Sequence, residues 1–257
     1  MKVFLTGASS GIGEELARLY AARGATLGLV ARRAEFLERL KSSLPVAAHT
    51  YPCDVRDAAA MRAAGADFTA RHGAPDLVIA NAGVSYGNIT MSEKDVDVFR
   101  EILEINVIGM VNTFHPFAAA MRQRGSGKLA GIASVAGFRG LPGATAYSAS
   151  KAAAISYLEG LRVEMRPKGV RVVTICPGFI ATPMTEKNPY PMPFLLEAED
   201  AARRIVRVLD SSKSFAVIPW QMAIVGRLLK LVPIAIFDRM MAGRGHKPRK
   251  GDPPPSA

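Results

Sequence analysis

The stretch Thr6-Gly7-Ala8-Ser9-Ser10-Gly11-Ile12-Gly13 joins a short apolar run, Lys2 to Leu5, to an amphipathic segment. This pattern predicts a glycine-rich turn between a first strand and a first helix. Glycines there let the backbone approach a pyrophosphate, whose charge is met by the amides of the helix N-terminus. The spacing is GxxxGxG, not the commoner GxGxxG, so the turn alone indicates a nucleotide only weakly. Its place directly after the first strand strengthens that indication.

Strand-like and helix-like segments alternate outward from this turn. The predicted strands are Lys2 to Leu5, Thr26 to Ala31, Val46 to Tyr51, Asp76 to Ala80, Lys128 to Ala133, Val170 to Cys176 and Phe215 to Ile218. The predicted helices are Gly11 to Arg23, Ala34 to Leu44, Asp57 to His72, a long region Ser92 to Arg124, Ala146 to Arg166 and Ala198 to Asp210. The alternation favours an α/β fold, a Rossmann-like doubly wound parallel sheet of about seven strands with helices on both faces. Ligands of such sheets bind beyond the carboxyl ends of the strands.

Length and composition favour one large domain. The chain has 257 residues, of which 49% are hydrophobic, and we expect a single dinucleotide-binding and catalytic domain over 1–242. Two cysteines and four histidines occur at no ligand spacing, so no metal is expected. The first apolar run is too short for a secretion signal, which favours a cytoplasmic protein.

Basic residues are concentrated near the C-terminus. The formal net charge is +11, and seven Lys or Arg against two Asp follow Trp220. No nucleic-acid-binding motif accompanies this charge, so nucleic acid is not an expected partner. Residues 243–257 are rich in Lys, Arg and Pro and are predicted to form a flexible tail.

The end of the second predicted strand indicates which dinucleotide would bind. Ala31 stands near the position where an NAD enzyme carries an acid, and Arg32 and Arg33 follow it. Two guanidinium groups can bind a 2′-phosphate by charge-assisted hydrogen bonds. NADP(H) is therefore preferred over NAD(H), the alternative being two arginines on a solvated helix start.

Three further strand ends carry candidate cofactor contacts. Asp54 and Val55 follow the third strand, where a carboxylate meets the adenine edge or caps the next helix. Asn81-Ala82-Gly83 follows the fourth strand, either beside the adenosine or as an ordinary tight turn. After the sixth strand, the turn beginning Pro177-Gly178 can place donors against a nicotinamide carboxamide.

Tyr147 and Lys151 form the candidate catalytic pair. Four residues apart, they lie one turn above the other if the segment is helical. A lysine cation near a phenol favours the phenolate and lowers its pKa from about 10. Ser134 supplies a hydroxyl at the end of the fifth strand. Asn106 lies among apolar residues in the long helical region, where a buried amide must be paired.

Taken together, TGASSGIG, NAG, Asn106, Ser134, YSASK and PGFIAT resemble the short-chain dehydrogenase/reductase family over roughly residues 2–218. The resemblance implies that Tyr147 is the general acid or base, Lys151 lowers its pKa and binds the ribose, Ser134 orients the carbonyl and Asn106 anchors a relay water. The family usually reads NNAG, and this chain has Ala80 at the first position. The residues implied to bind the cofactor are Gly7, Ser9, Ser10, Gly11, Ile12, Gly13, Arg32, Arg33, Asp54, Val55, Asn81, Ala82, Gly83, Tyr147, Lys151, Pro177, Gly178, Ile180 and Thr182.

The implied reaction interconverts a carbonyl and a primary or secondary alcohol with NADP(H). The resemblance also implies that the loop Met184 to Glu199 is a lid, and its apolar character favours an apolar substrate. Two alternatives remain: a 3-oxoacyl-thioester reductase, whose usual short glycine-rich end this chain lacks, and a non-catalytic dinucleotide-binding scaffold. We expect a homodimer or homotetramer.

The segment 220–242 is an unusually apolar extension. Arg227 and Lys230 fall on one helical face and leave most of the circumference apolar, and Pro233 interrupts the run. It is too short and too interrupted to span a bilayer. Three alternatives remain open: a cover on the substrate pocket or a partner subunit, a peripheral membrane contact through 220–241, or a docking surface for another protein.

Overall fold

In the computed structural model the described residues are 1–186, 188–243 and 247–251. The strands are β1 (Lys2–Thr6), β2 (Thr26–Ala31), β3 (Ala48–Pro52), β4 (Leu77–Ala80), β5 (Gly127–Ile132), β6 (Val170–Pro177), β7 (Ile180–Ala181), β8 (Leu196–Glu197) and β9 (Phe215–Ile218). The α-helices are α1 (Gly11–Ala22), α2 (Ala34–Ser43), α3 (Ala58–His72), α4 (Lys94–Leu103), α5 (Gly109–Arg124), α6 (Thr145–Met165), α7 (Ala198–Asp210), α8 (Trp220–Leu231) and α9 (Ile234–Met241).

Seven strands form one parallel sheet in the order β3-β2-β1-β4-β5-β6-β9. The order reverses between β1 and β4, so their carboxyl ends diverge into a crevice. The predicted Rossmann-like fold is confirmed. β7 and β8 pair with each other in a separate two-stranded sheet that closes the loop after β6.

Both faces of the sheet are buried, as a parallel sheet requires. On one face α1, α2 and α7 bury Leu16, Leu37 and Ile205. On the other, α3, α5 and α6 cover a cluster that includes Phe68 and Leu158. The sheet therefore contributes its edges and strand ends, not its faces, to any site.

The long predicted helical region Ser92 to Arg124 is helical but not uniform. A π-helical turn, Glu104–Ile108, separates α4 from α5. Such turns insert an extra residue into the helical repeat and recur at functional sites. Here the turn is centred on Asn106, whose side chain is fully buried.

The C-terminal extension forms two helices that meet at Pro233, as the sequence predicted. The inner side of α8 packs on the sheet end, because Met222 lies against Gly178 and Gly226 lies against the Phe138 ring. Within the described residues no single helix is both long and apolar enough to cross a membrane. The α8–α9 pair passes that test together, by length and composition only, but is bent by 119°.

The segment 247–251, which we call the C-terminal strap, lies within the predicted flexible tail and makes hydrogen bonds and an ion pair with the rest of the chain. Its backbone accepts a hydrogen bond at Pro248 from Gly87 N (2.8 Å). Lys247 Nζ donates to Ser85 Oγ (3.0 Å), and Arg249 Nη2 lies 2.8 Å from Asp95 Oδ1. These long-range contacts hold the strap against the loop after β4. The rest of the predicted tail, 244–246 and 252–257, lies outside the described residues.

Candidate active site

The glycine turn after β1 is held by the turn after β4. Gly7 and Gly11 have φ of +69° and +56°, a left-handed conformation that favours glycine. Asn81 Nδ2 donates to Thr6 O (3.2 Å) and to Gly7 O (3.1 Å), and Asn81 N donates to Thr6 Oγ1 (3.2 Å). Sequence reasoning placed Asn81 beside the cofactor and missed this tie, because only the parallel pairing of β1 with β4 brings the two turns together.

Gly13 is required by packing within the turn. A Cβ atom at this position would lie 2.1 Å from Gly7 O, a backbone atom that cannot move aside by a rotamer change. Gly13→Ala is therefore expected to displace the turn, lower the free energy of unfolding by about 1–3 kcal/mol and weaken dinucleotide binding. Urea unfolding and a nucleotide titration measure the two effects.

Gly160→Ala is the matched control, because a Cβ atom on this α6 glycine would point into open space. In mid-helix the change should leave stability unchanged or raise it by up to about 1 kcal/mol. Equal stability and equal nucleotide affinity in Gly13→Ala and wild type would contradict the assignment of the turn.

A cavity of about 290 Å³ opens at the carboxyl ends of the strands. The predicted site residues other than Asn106 and Gly13 line it, and Gly13 and Asn106 lie beneath its wall. Lining residues outside the predicted site set are Ala31, Cys53, Val84, Ile105, Ile132, Ala133, Pro183, Met184 and Thr185. They are mostly apolar neighbours of the predicted residues and carry no sequence motif of their own.

The end of β2 presents basic groups to one side of this cavity. Arg32 and Arg33 are exposed, and Arg33 Nη2 lies 3.4 Å from Ser9 Oγ of the glycine turn. The Arg33 guanidinium also stacks 3.9 Å over the Phe36 ring. The ends of β1 and β2 therefore place the Ser9 hydroxyl near the guanidinium groups of Arg32 and Arg33. Ala31 stands where a carboxylate would repel a phosphate.

Asp54 is paired and does not cap α3. Its carboxylate accepts hydrogen bonds from the backbone N and the guanidinium of Arg56. Burial acts to raise the pKa of Asp54, but the Arg56 hydrogen bonds outweigh it and the pKa is lowered. The α3 cap is Asp57, whose Oδ1 accepts from Ala59 N and Ala60 N. The capping alternative for Asp54 is therefore wrong.

Tyr147 and Lys151 lie one turn apart on α6, with Lys151 Nζ 5.7 Å from the Tyr147 ring centroid. Nζ donates to Ile132 O at the end of β5 (2.9 Å). Burial lowers the pKa of Lys151 to about 8. The ammonium is consequently charged below pH 8 and loses its proton above it.

The phenol of Tyr147 differs from the sequence expectation. Burial raises its pKa, and the Ser134 hydroxyl opposes that effect without overcoming it. The cause is desolvation, which disfavours the phenolate in a low-dielectric wall. In the chain itself, burial therefore sets the direction in which the pKa of this phenol moves.

Ser134 is held between two turns. The residue is buried, and its Oγ accepts a hydrogen bond from Ala136 N (3.1 Å). The same Oγ donates to Pro177 O (3.4 Å). The short 3-10 turn Val135–Gly137 packs on α6, because a Cβ on Gly137 would meet Lys151 backbone atoms at 2.6 Å. The Ser134 hydroxyl and the Tyr147 phenol thus share one end of the cavity.

The Asn106 side chain is fully used in structural hydrogen bonds. Its Nδ2 donates to Val84 O (3.0 Å) and Ser150 Oγ (2.9 Å), and its Oδ1 accepts from Val84 N (2.8 Å). Both amide protons are occupied, so the side chain ties the loop after β4 to α6. Ser150 in turn donates to Tyr147 O (2.7 Å), which connects Asn106 to the tyrosine turn.

The residues around the cavity fit a dinucleotide. Ser10 is the N-cap residue of α1 and makes no side-chain capping bond. Ser10, Gly11 and Ile12 line the cavity, so the first helical turn faces it. A Cβ on Gly11 would lie 2.9 Å from Thr182 Cγ2 and would fill the space between the turn and the far wall. Helix amides and a glycine cradle suit a pyrophosphate.

Comparison with known proteins shows the family to which the chain belongs. The short chain dehydrogenase family model matches residues 1–191, and the chain belongs to the short-chain dehydrogenase/reductase family. It is an oxidoreductase of that family by fold and by sequence. An uncharacterized oxidoreductase of Myxococcus xanthus (strain DK1622) is 38% identical over 237 residues, covering 91% of this chain and 93% of that protein.

Two solved structures show related folds. A 3-ketoacyl-ACP reductase from Sinorhizobium meliloti 1021 is 27% identical with a TM-score of 0.75, covering 85% of this chain and 97% of that one. An alcohol dehydrogenase from the archaeon Thermococcus sibiricus, complexed with 5-hydroxy-NADP, is 28% identical with a TM-score of 0.72, covering 84% of this chain and 95% of that one. The family resemblance predicted from the motifs is confirmed.

Proposed function

We propose that the protein is an NADP(H)-dependent oxidoreductase that interconverts an apolar ketone or aldehyde and its alcohol. The observation that carries the proposal is the meeting of Ser134, Tyr147 and Lys151 at one end of a cavity whose other end is the glycine turn with Arg32 and Arg33. A carbonyl site and a phosphate site therefore share one cleft.

The roles of the side chains follow from their positions. The Ser134 hydroxyl and the Tyr147 phenol donate hydrogen bonds to the carbonyl oxygen, and Tyr147 transfers its proton to that oxygen as the alcohol forms. Lys151, held by Ile132 O, places a cation under the phenol and favours the phenolate that remains. The bound nicotinamide supplies the hydride.

Asn106 has a positioning role in this proposal. Because both amide protons bind Val84 O and Ser150 Oγ, the side chain acts through the loop and through Ser150, not on the substrate. The relay-water role expected from the family would fall to other groups of the π-helical turn.

The substrate is proposed to be apolar because part of the cavity wall is apolar. Val84, Ile180, Pro183 and Met184 are among the residues that line the cavity. NADPH oxidation with a series of ketones and aldehydes tests the activity, and oxidation with none of them would favour the non-catalytic scaffold.

A 3-oxoacyl-thioester reductase is the second candidate, because a 3-ketoacyl-ACP reductase is among the similar structures. The same assay with a 3-oxoacyl thioester separates the two. A thioester turned over much faster than every simple ketone would favour this candidate.

The predicted homodimer or homotetramer and the cytoplasmic location remain predictions.

Arg32→Ala tests the proposed preference for NADP(H). Loss of a guanidinium that binds the 2′-phosphate should weaken NADPH about 10- to 100-fold and leave NADH nearly unchanged. Fluorescence titration of each nucleotide measures both affinities. Arg39→Ala is the control, because this substitution removes the same charge from an exposed arginine of α2 that does not line the cavity. Equal losses for NADPH and NADH would contradict the proposal.

A further inference from the structure

Helices α8 and α9 both expose large apolar side chains, which together we call the α8–α9 face. The members are Trp220, Ile224, Leu228, Leu231, Ile234, Ile236 and Met240. Leu231 is 78% exposed, Ile234 75% and Trp220 64%. On α8 the four residues recur at intervals of four, four and three, so they form one stripe along the helix.

The exposure of this stripe does not come from a loosely attached helix. The opposite side of α8 is packed, with Met222 on Gly178 and Gly226 on the Phe138 ring. Arg139 ties the end of α8 by donating to Val232 O (2.6 Å), and its guanidinium lies 3.9 Å from the Phe237 ring centroid. The helix is therefore anchored with its apolar stripe outward. Exposed apolar surface of this extent marks an interaction site.

The charges beside the stripe indicate the kind of partner. Arg227 is exposed along one edge of the stripe, and Arg239 is exposed on α9. Lys230 is also exposed, but its Nζ lies 5.2 Å from the Phe138 ring centroid on the packed side of α8. Asp238 is the one acidic residue between 220 and 241. No ion pair neutralises these three cations within the described residues. A second copy of this chain would bring the same positive groups together, whereas an anionic lipid surface complements them.

The geometry favours a helix pair that lies on a bilayer. α8 has 12 residues and α9 has 8, and the 119° bend at 232–233 prevents a straight crossing. A helix with an apolar stripe, a basic edge and a tryptophan is typical of the membrane interface, where indole rings lie at the level of the head groups.

We propose that the α8–α9 face docks the protein onto an anionic lipid bilayer, with the apolar stripe among the acyl chains and Arg227 and Arg239 at the head groups. The inference is independent of the proposed carbonyl chemistry. It rests on exposure, anchoring and charge, and its readout is lipid binding.

Flotation of the full-length protein with vesicles tests this. Vesicles of phosphatidylcholine mixed with phosphatidylglycerol should carry the protein upward in a gradient, and pure phosphatidylcholine vesicles should carry much less. Leu228→Glu should lower partitioning about tenfold or more, because it removes a leucine that the bilayer would bury and adds a negative charge. Val163→Glu on α6 is the matched control, since Val163 is 62% exposed and Leu228 58%.

A second variant separates charge from apolar contact. Arg227→Gln combined with Arg239→Gln keeps the stripe and should remove most of the difference between the two vesicle types. Absence of binding to the anionic vesicles, or equal binding by Leu228→Glu and wild type, would overturn the proposal. A halved molecular mass for Leu228→Glu in light scattering, without vesicle binding by wild type, would instead assign the face to a second copy. NADPH binding by each variant reports separately on the dinucleotide site.

Discussion

Tyr147→Phe is expected to lower NADPH-dependent carbonyl turnover by about 10²- to 10⁴-fold, the usual contribution of a positioned general acid or base. The change removes one hydroxyl and keeps the ring that packs over Lys151 Nζ. NADPH affinity should stay nearly constant, because the phosphate end of the cavity is formed by other residues. Steady-state kinetics and a nucleotide titration measure the two quantities.

Tyr157→Phe on the same helix is the control for this substitution. Tyr157 is only partly buried and does not line the cavity, so its phenol has no proposed role. The control should turn over substrate at the wild-type rate. Turnover by Tyr147→Phe within tenfold of wild type would contradict the assignment of the proton donor.

Lys151→Met is expected to produce the other large effect, a loss of roughly 10²-fold or more in kcat/KM. The thioether chain fills the space of the lysine stem but removes the cation beneath a phenol whose pKa burial already raises. It also leaves Ile132 O without its 2.9 Å partner. A thermal melt of the variant establishes whether fold stability contributes to the loss.

The pH dependence distinguishes the electrostatic role of Lys151 from a purely structural one. Burial lowers the lysine pKa to about 8, so its charge is present below pH 8 and is lost as the pH rises through that value. The kcat/KM profile of the wild type should therefore fall above about pH 8. In Lys151→Met this alkaline decline should be absent. A decline at the same pH in both proteins would assign it to another group.

The sequence predicted the parallel sheet and the positions of its strands along the chain. Strands β2 and β9 and helix α7 have the predicted bounds, and the other main elements differ by one or two residues at their ends. Periodicity and glycine turns are local signals, and the right-handed crossover rule converts them into one parallel sheet. The confirmed family resemblance rests on the same short motifs.

In the candidate site, local sequence patterns identify the residues but not all of their partners. The motif residues named from the sequence gather around one cavity, but the roles of several depend on partners distant in the chain. Asn81 holds the glycine turn 74 residues away, and Asn106 binds Ser150 across 44 residues. Neither pairing leaves a mark in spacing or composition, because each depends on which strands and helices become neighbours.

The C-terminal part also combines features that the sequence indicated with contacts that it did not. Sequence composition indicated an apolar extension and a break at Pro233, and α8 ends and α9 begins beside that proline. It could not indicate that the strap would bind Gly87 and Asp95, because that needs the loop after β4 in its folded position.

The sequence by itself determined the fold class, the family and the residue types at the strand ends, because these follow from patterns spanning a few residues. Only the tertiary structure decided that burial raises the phenol pKa, that the Asn106 side chain binds Val84 backbone groups and Ser150, and that one stripe of α8 is exposed. Desolvation, hydrogen bonding and exposure depend on all the atoms packed around a group, and those atoms belong to residues from distant parts of the chain.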